Sequence, residues 1–400
     1  MIETDILIAG AGPAGLSAAC ALGAEGHRVL LVDPVPPVTT GDASDADLRT
    51  TALLQPAREL LDRAGAWSGL APHATDLQVM RIVDAARNVR VARDFRADDM
   101  GDLPFGWNVP NWLIRRELLA RIETLDIVET RFGISVARLL AREAHARVTL
   151  SDGIRIQAQL VIACDGRDSP LRDMAGISAR TVDYGQTAIV FAVTHDLPHD
   201  DVSIEVHRTG GPFTLVPLPP ADGVHRSAVV WMDSATEQAR RMALPEDDFE
   251  AEADERSAKV MGSLWLASRR AAWPIISRRA DRMTGRRLAL AAEAAHAMPP
   301  IGAQGLNTSL QDVAALRDLA AKAPLGSPAM LDAYARAREA EVTVRMAGID
   351  MLNRVSIAGL GAAQGLRGVG IAALHDVAPL RRLAMRMGLG GGLSGPAVRS

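Results

Sequence analysis

Asp5-Ile6-Leu7-Ile8-Ala9-Gly10-Ala11-Gly12-Pro13-Ala14-Gly15 lies near the start of the chain, and its folding constrains everything after it. Asp5 to Ala9 reads as a short buried strand. Pro13 to Glu25, rich in Ala and Leu, reads as a helix that breaks at Gly26. In the loop between them, Gly10 permits the tight turn and Gly12 lets backbone approach a phosphate with no Cβ in the way. Gly15 lets the helix lie close on the strand. Pro13 and Ala14 open that helix, whose free N–H groups suit an anion. A second strand, Val29 to Val32, ends at Asp33, about 20 residues beyond the loop, where an acid can hold a ribose hydroxyl of adenosine. A turn that binds nothing would need none of these flanking features.

Two further loops repeat the logic. Leu160 to Cys164 is an apolar strand running into Cys164-Asp165-Gly166-Arg167-Asp168-Ser169. Ser169 caps and Pro170 opens the next helix, which Gly176 closes. Asp165 can hold a hydroxyl and Gly166 permits close backbone approach. Arg172 either neutralises phosphate or braces the loop by pairing with an aspartate. Later, a strand over Leu288 to Ala292 ends at Glu293. His296 follows, then Pro300-Ile301-Gly302-Ala303-Gln304-Gly305-Leu306-Asn307, which feeds a helix over Leu306 to Ala321. N–H groups at such a helix start suit the negative charge that a reduced isoalloxazine carries around N1 and O2. His296 is either an acid/base group or a packed, hydrogen-bonded residue. Three nucleotide-type loops in this order point to FAD. No metal-ligand spacing, Gly-x-Ser-x-Gly elbow or Walker sequence occurs, so no metal is expected.

Four hundred residues suffice for two intimately joined domains. A net charge of −4 and a pI near 6.2 offer no general attraction to nucleic acid. Cys20 and Cys164, the two cysteines, sit in apolar stretches and suit a reduced cytoplasmic setting. No basic leader is visible and no apolar run reaches the roughly 18 residues of a spanning helix. The expectation is a soluble protein, or one peripheral to the inner face of the membrane. Lys259 and Lys322 are the only lysines. Arginine clusters at Arg269, Arg270, Arg278, Arg279, Arg282, Arg286 and Arg287, and again at Arg381, Arg382 and Arg386. These clusters are either a docking surface for an anionic partner or a solvated face.

The fold class expected is α/β. A helix is read over Gln55 to Ala64, irregular structure over Phe95 to Trp112, and a helix from Ile114 to Ile122. A hairpin joins Val148–Leu150 to Ile154–Ile156 through Ser151-Asp152-Gly153. Strand character at Thr187–Thr194, Val202–Val206, Phe213–Val216 and Ala228–Met232 predicts an antiparallel sheet, and Pro245 to Val260 reads as a helix. The nucleotide domain is expected to be discontinuous, over 1–70, 113–180 and 280–355. The substrate domain would occupy 71–112 and 181–279, with a C-terminal helical tail over 356–400.

With these motifs placed, the chain resembles the single-component FAD-dependent aromatic hydroxylases of para-hydroxybenzoate hydroxylase type. Within them it is most similar to the UbiH/UbiF ubiquinone-biosynthesis hydroxylases. Asp47-Leu48-Arg49-Thr50-Thr51-Ala52-Leu53, Asp183-Tyr184-Gly185-Gln186, Gly211-Pro212-Phe213 with Pro217-Leu218-Pro219, and the third loop carry that likeness. The resemblance implies a Rossmann-like FAD domain, an antiparallel-sheet substrate domain and C-terminal helices. Gly10, Gly12, Pro13, Ala14, Gly15 and Asp33 would bind the ADP part of FAD. Asp165, Gly166 and Arg172 match a motif associated with FAD and NAD(P)H, and Arg49 with Arg115 or Arg116 would stand near the cofactor. Glu293, Pro300, Gly302, Gln304, Gly305, Leu306 and Asn307 would line the flavin, with Tyr184, Gln186, Phe213 and Pro217 toward the substrate.

By the same resemblance NAD(P)H reduces FAD, O2 adds at C4a, and the hydroperoxide hydroxylates a prenylated phenol. No protein group is singled out as catalytic, and membership of a ubiquinone-biosynthesis complex is a further expectation. Gly359 to Gly392, rich in Gly, Ala and Leu, would either dock on a membrane or pack on the FAD domain. Two departures stand out: Ala292-Glu293 replaces the family's Gly-Asp, and Ala303 replaces the glycine of its Gly-Gln-Gly. The alternatives are a hydroxylase of a soluble aromatic or polyketide, and a noncatalytic subunit that keeps the fold.

Overall fold

In the computed structural model, which describes residues 1–85, 91–208, 210–357 and 385, the opening stretch forms a strand, Ile2–Ala9, and a helix, Pro13–Ala24. The strand lies inside the first sheet, parallel to Val29–Asp33 on one side and to Arg155–Ala163 on the other, with Ile8 opposite both Leu31 and Ile162. Ile6, Leu7, Ile8 and Ala9 are all buried, without alternation, as befits a parallel strand covered on both faces. Val128–Phe132 and Leu288–Leu290 extend the parallel order at either side, so chain from three distant segments builds one sheet.

The expected hairpin is present, with Val148 opposite Ile156. Its second arm does not end there: that arm and the apolar run after it are one strand, Arg155–Ala163. The arm alternates between exposed and buried where one face meets solvent, then becomes wholly buried beside Ile2–Ala9. That change of burial had divided one strand into two readings.

The second sheet runs in the order His296–Ala297, Ala271–Ala280, Ala179–His195, Val224–Ser234, Pro212–Ala221, Val202–His207, Val79–Asp84, Val91–Arg96. Neighbours are antiparallel apart from the pairing of Val202–His207 with Val79–Asp84. Ala179–His195 begins well before the expected Thr187 and runs through Asp183-Tyr184-Gly185-Gln186 by a bulge. There the register steps from Asp183 opposite Ile276 to Gln186 opposite Ile275, and Gly185 takes φ +64°.

One face of this sheet carries Phe191, Phe213 and Trp231 beneath the helix Glu246–Arg256, with the Phe191 and Phe249 rings 5.0 Å apart. That helix is shorter than Pro245 to Val260 because Ala258 and Lys259 turn the chain with left-handed backbone. Another, Ala235–Met242, capped by Ser234, was not anticipated.

A third, three-stranded sheet joins Thr50–Leu54, Gly106–Pro110 and Thr75–Leu77. It corrects the expectation of irregular structure over Phe95 to Trp112. Val91–Arg96 is also a strand, and Gly106–Pro110 is the central one of three. Pro110 stands at its strand's end, and a Cβ on Gly106 would lie 2.7 Å from the Leu53 carbonyl oxygen, so both apparent breakers are compatible with pairing. The final described helix, Pro328–Ile357, buries Met330, Leu331, Tyr334, Val342 and Ile349. Apart from Ser356, Ile357 and Met385, the tail over 356–400 lies outside the described residues, as do Gly359–Gly392 (Met385 excepted), Arg381, Arg382 and Arg386. Among the described residues no helix is long and apolar enough to cross a membrane.

Candidate cofactor site

The first loop is backbone packed on backbone. Gly10 has φ +105°, and a Cβ there would lie 2.2 Å from the Cys164 carbonyl oxygen. A Cβ on Gly15 would lie 1.8 Å from the Gly10 carbonyl oxygen. Gly12 is the opposite case: nothing lies within 4 Å of where its Cβ would be, which leaves room for a ligand to approach. The helix that follows has no side-chain cap, so its first N–H groups stay available. Asp33 stands beside the loop, accepting from the Ala11 N–H at 2.6 Å and the Val35 N–H at 2.8 Å.

The second loop reaches the same place from the neighbouring strand. Asp165 accepts from the Leu171 N–H at 3.0 Å through Oδ2, while its Oδ1 is buried without a protein partner. Burial raises its pKa against the bonds from Ser169 and Leu171. Gly166, at φ +88°, has open space around it. Arg172 answers the question left by its sequence position. It is buried and donates to the carbonyls of Arg167 at 2.9 Å and Ala294 at 3.2 Å, with Asp173 at 3.6 Å. It braces the second loop against the third chiefly through carbonyls.

The third loop is held by side chains. Leu288–Leu290 ends sooner than expected, and Ala292–Ala294 is a short 3-10 turn. Asn307 accepts from the Leu54 N–H at 2.8 Å and donates to the carbonyls of Ala52 at 2.7 Å and Ala303 at 2.6 Å. Gln304 donates to the Gly302 carbonyl at 2.8 Å and accepts from Arg345. The Ile301 N–H reaches the carbonyl of Pro299, beside Pro300, at 2.8 Å; Gly305 accepts from the Ser309 hydroxyl, and Leu306 packs partly buried on the core. The helix Gln304–Ala320 has no side-chain cap. Behind the loop, buried Asp312 accepts from Ala292 N–H at 3.0 Å, His296 Nε2 at 2.7 Å and Arg338 Nε at 2.8 Å. Burial works against the charge on Asp312, and His296 with Arg338 outweighs it, holding the pKa low. His296 is therefore a buried, hydrogen-bonded residue, not one facing an open cleft.

Both departures from the family pattern fall on left-handed backbone: Ala292 at φ +57° and Ala303 at φ +56°. Glu293 is half-exposed and pairs with Arg167 at 3.5 Å, joining the second loop to the third.

Arg49 and Arg115 converge on buried Asp47, with nitrogen–oxygen distances of 2.8 and 3.3 Å. Arg49 also stacks on Trp273 of the second sheet at 4.2 Å. Burial would raise the Asp47 pKa, but bonds and charge from Arg49, with Asn111 and Arg115, bring it down to about 2. Arg116 does not join them: it pairs with Glu117 at 2.8 Å and meets His73 at 3.1 Å.

Two of the substrate-side expectations need correction. Phe213 is wholly buried on the helix-covered face of its sheet, and Pro217 shares its strand parity. It is the Pro217 carbonyl that faces the small sheet, accepting from Asn108 at 2.8 Å. Tyr184 and Gln186 instead meet the final helix, through Asp350 at 2.6 Å and Asn353 at 3.1 Å. Sequence reasoning missed Asp312, Trp273 and Asn111. The one available signal was Asp312, an acid among the apolar positions of a helix.

The donor set fits an adenine dinucleotide with a flavin. Two uncapped helix starts, an open Gly12 and the unpartnered Asp165 Oδ1 are what phosphate and hydroxyl groups would satisfy. Residues 3–347 match the family described as FAD binding domain. The chain belongs to that family. It is 33% identical over 96% of its length, and 89% of the relative's, to the ubiquinone hydroxylase UbiL of Rhodospirillum rubrum. It is 26% identical to the 3-demethoxyubiquinol 3-hydroxylase of Escherichia coli, covering 97% of this chain and 98% of that one. Among solved structures, p-nitrophenol 4-monooxygenase PnpA from Pseudomonas putida superposes with a TM-score of 0.80 at 18% identity, over 98% of this chain and 100% of that one. This member of the family is an FAD-dependent aromatic monooxygenase, with NAD(P)H as the family's reductant.

Proposed function

We propose that the chain hydroxylates the ring of a polyprenylated phenol on the way to ubiquinone. Relatives named for ubiquinone hydroxylation support this reading, and one structural observation carries it. On the second sheet, the face opposite the Phe191–Phe213–Trp231 core presents Ala188, Val190, Val216, Val230, Met232 and Ile275. Arg49 stacking on Trp273, which pairs with Ala188, turns that face toward the cofactor loops. A neutral, greasy ring suits such a lining.

When bound, FAD supplies the oxygen-activating chemistry and takes reducing equivalents from NAD(P)H. The protein's own residues would position it. Gly12, Asp33 and Asp165 would hold the ADP and ribityl parts, and the N–H groups at Gly305 and Leu306 would stabilise charge on the ring. Arg49 and Arg115, oriented by Asp47, would keep positive charge beside the cofactor loops, and the apolar sheet face would exclude water.

The test is mass-spectrometric profiling of quinone intermediates in a strain lacking the protein. Accumulation of a prenylated, under-hydroxylated phenol is expected; an unchanged profile overturns the reading. A noncatalytic role predicts colourless purified protein, whereas a hydroxylase is yellow and bleaches with NAD(P)H. Localisation at the membrane and membership of a biosynthetic complex belong to this same proposal.

A further inference from the structure

Toward one edge, the apolar face of the second sheet carries a pair of ionisable side chains with no part in holding FAD. Glu205 lies opposite Thr214, Thr214 opposite Val230, and Val230 opposite Val190, so Glu205 stands in one row with two residues of the proposed ring face. His207, two residues on, points the same way. Ile204 and Val206, which alternate with them, belong to the opposite face, in the core with Phe191, Phe213 and Trp231.

The two side chains are joined. His207 Nε2 is 2.6 Å from Glu205 Oε1, and the side chains are 8% and 22% exposed. A carboxylate only accepts, so the hydrogen between them belongs to Nε2, and Nδ1 is the nitrogen left to take up or release a proton. That Nδ1 is buried and, among the described residues, has no hydrogen-bond partner. Burial raises the pKa of Glu205, but the bond and charge from His207 outweigh it and hold the carboxyl below its ordinary value. A pair kept for stability alone would gain little over apolar side chains in this setting, and would not leave a buried nitrogen unsatisfied.

Its place on the sheet is between two anchored ends. At one end Asn108 donates to the Pro217 carbonyl, and Ala52, opposite Asn108 on the small sheet, is held by Asn307 of the third loop. At the other end Gln186 donates to the Gly210 carbonyl at 3.2 Å. Pro212 and Thr214, opposite His207 and Glu205, lie on the strand between those ends. The charged groups sharing the face around the pair are Asp84, opposite His207 on the adjoining strand, and Arg93, opposite Ile82 one strand further.

We propose that His207, positioned by Glu205, is the proton acceptor for the hydroxyl group of a phenol substrate. The O–H bond breaks, its electron pair stays on the oxygen, and the proton passes to Nδ1. The imidazolium so formed is balanced by the Glu205 carboxylate. A phenolate ring is richer in electrons than the phenol, which favours attack on an electrophilic oxygen. The same proton returns to the oxygen before the product leaves. This deepens, and rests on, the reading of a phenol as substrate.

The test uses the full-length FAD-loaded protein and a fluorophenol, with and without a short prenyl chain, titrated with pH while fluorine NMR reports bound phenol and phenolate. On the wild type both probes should half-ionise about one pH unit or more below the free compound. His207→Gln should return that midpoint to the free value or above, and Glu205→Gln should move it most of the way, with FAD content and melting temperature unchanged. A wild-type midpoint at the free value overturns the assignment, whether or not either variant folds, as does a His207→Gln protein that keeps the depressed one. Early ionisation of the unprenylated probe alone, lost in His207→Gln, upholds the pair and overturns the prenylated substrate. A prenylated probe that binds and ionises only at its free value does the reverse.

Discussion

The first and third loops do the same kind of work by opposite means. The first is fixed by what its glycines lack: Gly10 and Gly15 let two strands and a helix meet backbone to backbone, and no side chain could occupy either gap. The third tolerates Ala292 and Ala303 at left-handed φ and is held instead by Asn307, Gln304, Asp312, Arg338 and Arg345. A loop set by sterics is insensitive to pH and intolerant of added atoms. A loop set by charged and amide clamps can absorb backbone strain but depends on every clamp.

The largest expected effect is therefore on the clamped side. Asp312→Ala leaves Arg338 and His296 buried without their shared acceptor and frees the Ala292 N–H. It should cost about 3–5 kcal/mol in chemical unfolding and lower FAD content in the purified protein. A loss below about 1 kcal/mol would show that the third loop does not depend on this carboxylate. Next comes Gly10→Ala on the steric side, where positive φ and the overlap with the Cys164 carbonyl together should cost about 3 kcal/mol. Full stability in that variant would dissolve the contrast between the loops.

What the sequence revealed follows the same division. The first two loops were legible because glycine's backbone freedom and the strand–helix alternation around them are local properties. The third sheet was not, because Pro104, Gly106 and Pro110 look like breakers until the partner strands show Pro104 outside the strand, Gly106 at a close backbone approach and Pro110 at the strand's end. Arg115 and Arg116 could not be separated either: adjacent helix residues point about 100° apart, and only the packed structure shows which direction meets Asp47. Phe213 failed for a related reason. Alternation divides a strand into two faces without saying which one a helix layer covers. Asp312 was hidden because a buried acid is defined by partners that arrive from His296 and from Arg338.

Acid should also distinguish the regions. Asp47, with its folded pKa depressed from the ordinary 3.8 to about 2, contributes stability that is complete above about pH 4 and is lost as pH falls toward 2. The shift corresponds to roughly 2 kcal/mol. Asp47→Asn should flatten this part of the pH–stability curve, measured by denaturant titration at several pH values. A variant curve that still falls as steeply between pH 4 and 2 would remove Asp47 as the cause.

The smallest effect tests the strain itself. Ala303→Gly relieves about 1 kcal/mol of left-handed backbone strain but gives up to about 1 kcal/mol back through the greater freedom of unfolded glycine. Global stability should therefore hardly move. The strain is borne in the conformation that presents the Gly305 and Leu306 N–H groups, whereas glycine can hold it freely. The ligand-free chain already holds this conformation, so FAD titration, followed by fluorescence quenching, should leave the affinity within about twofold. Weaker binding in the glycine variant would mean that the Ala303 methyl makes a contact worth more than the strain it imposes, and the third loop would then resemble the first in being shaped by sterics.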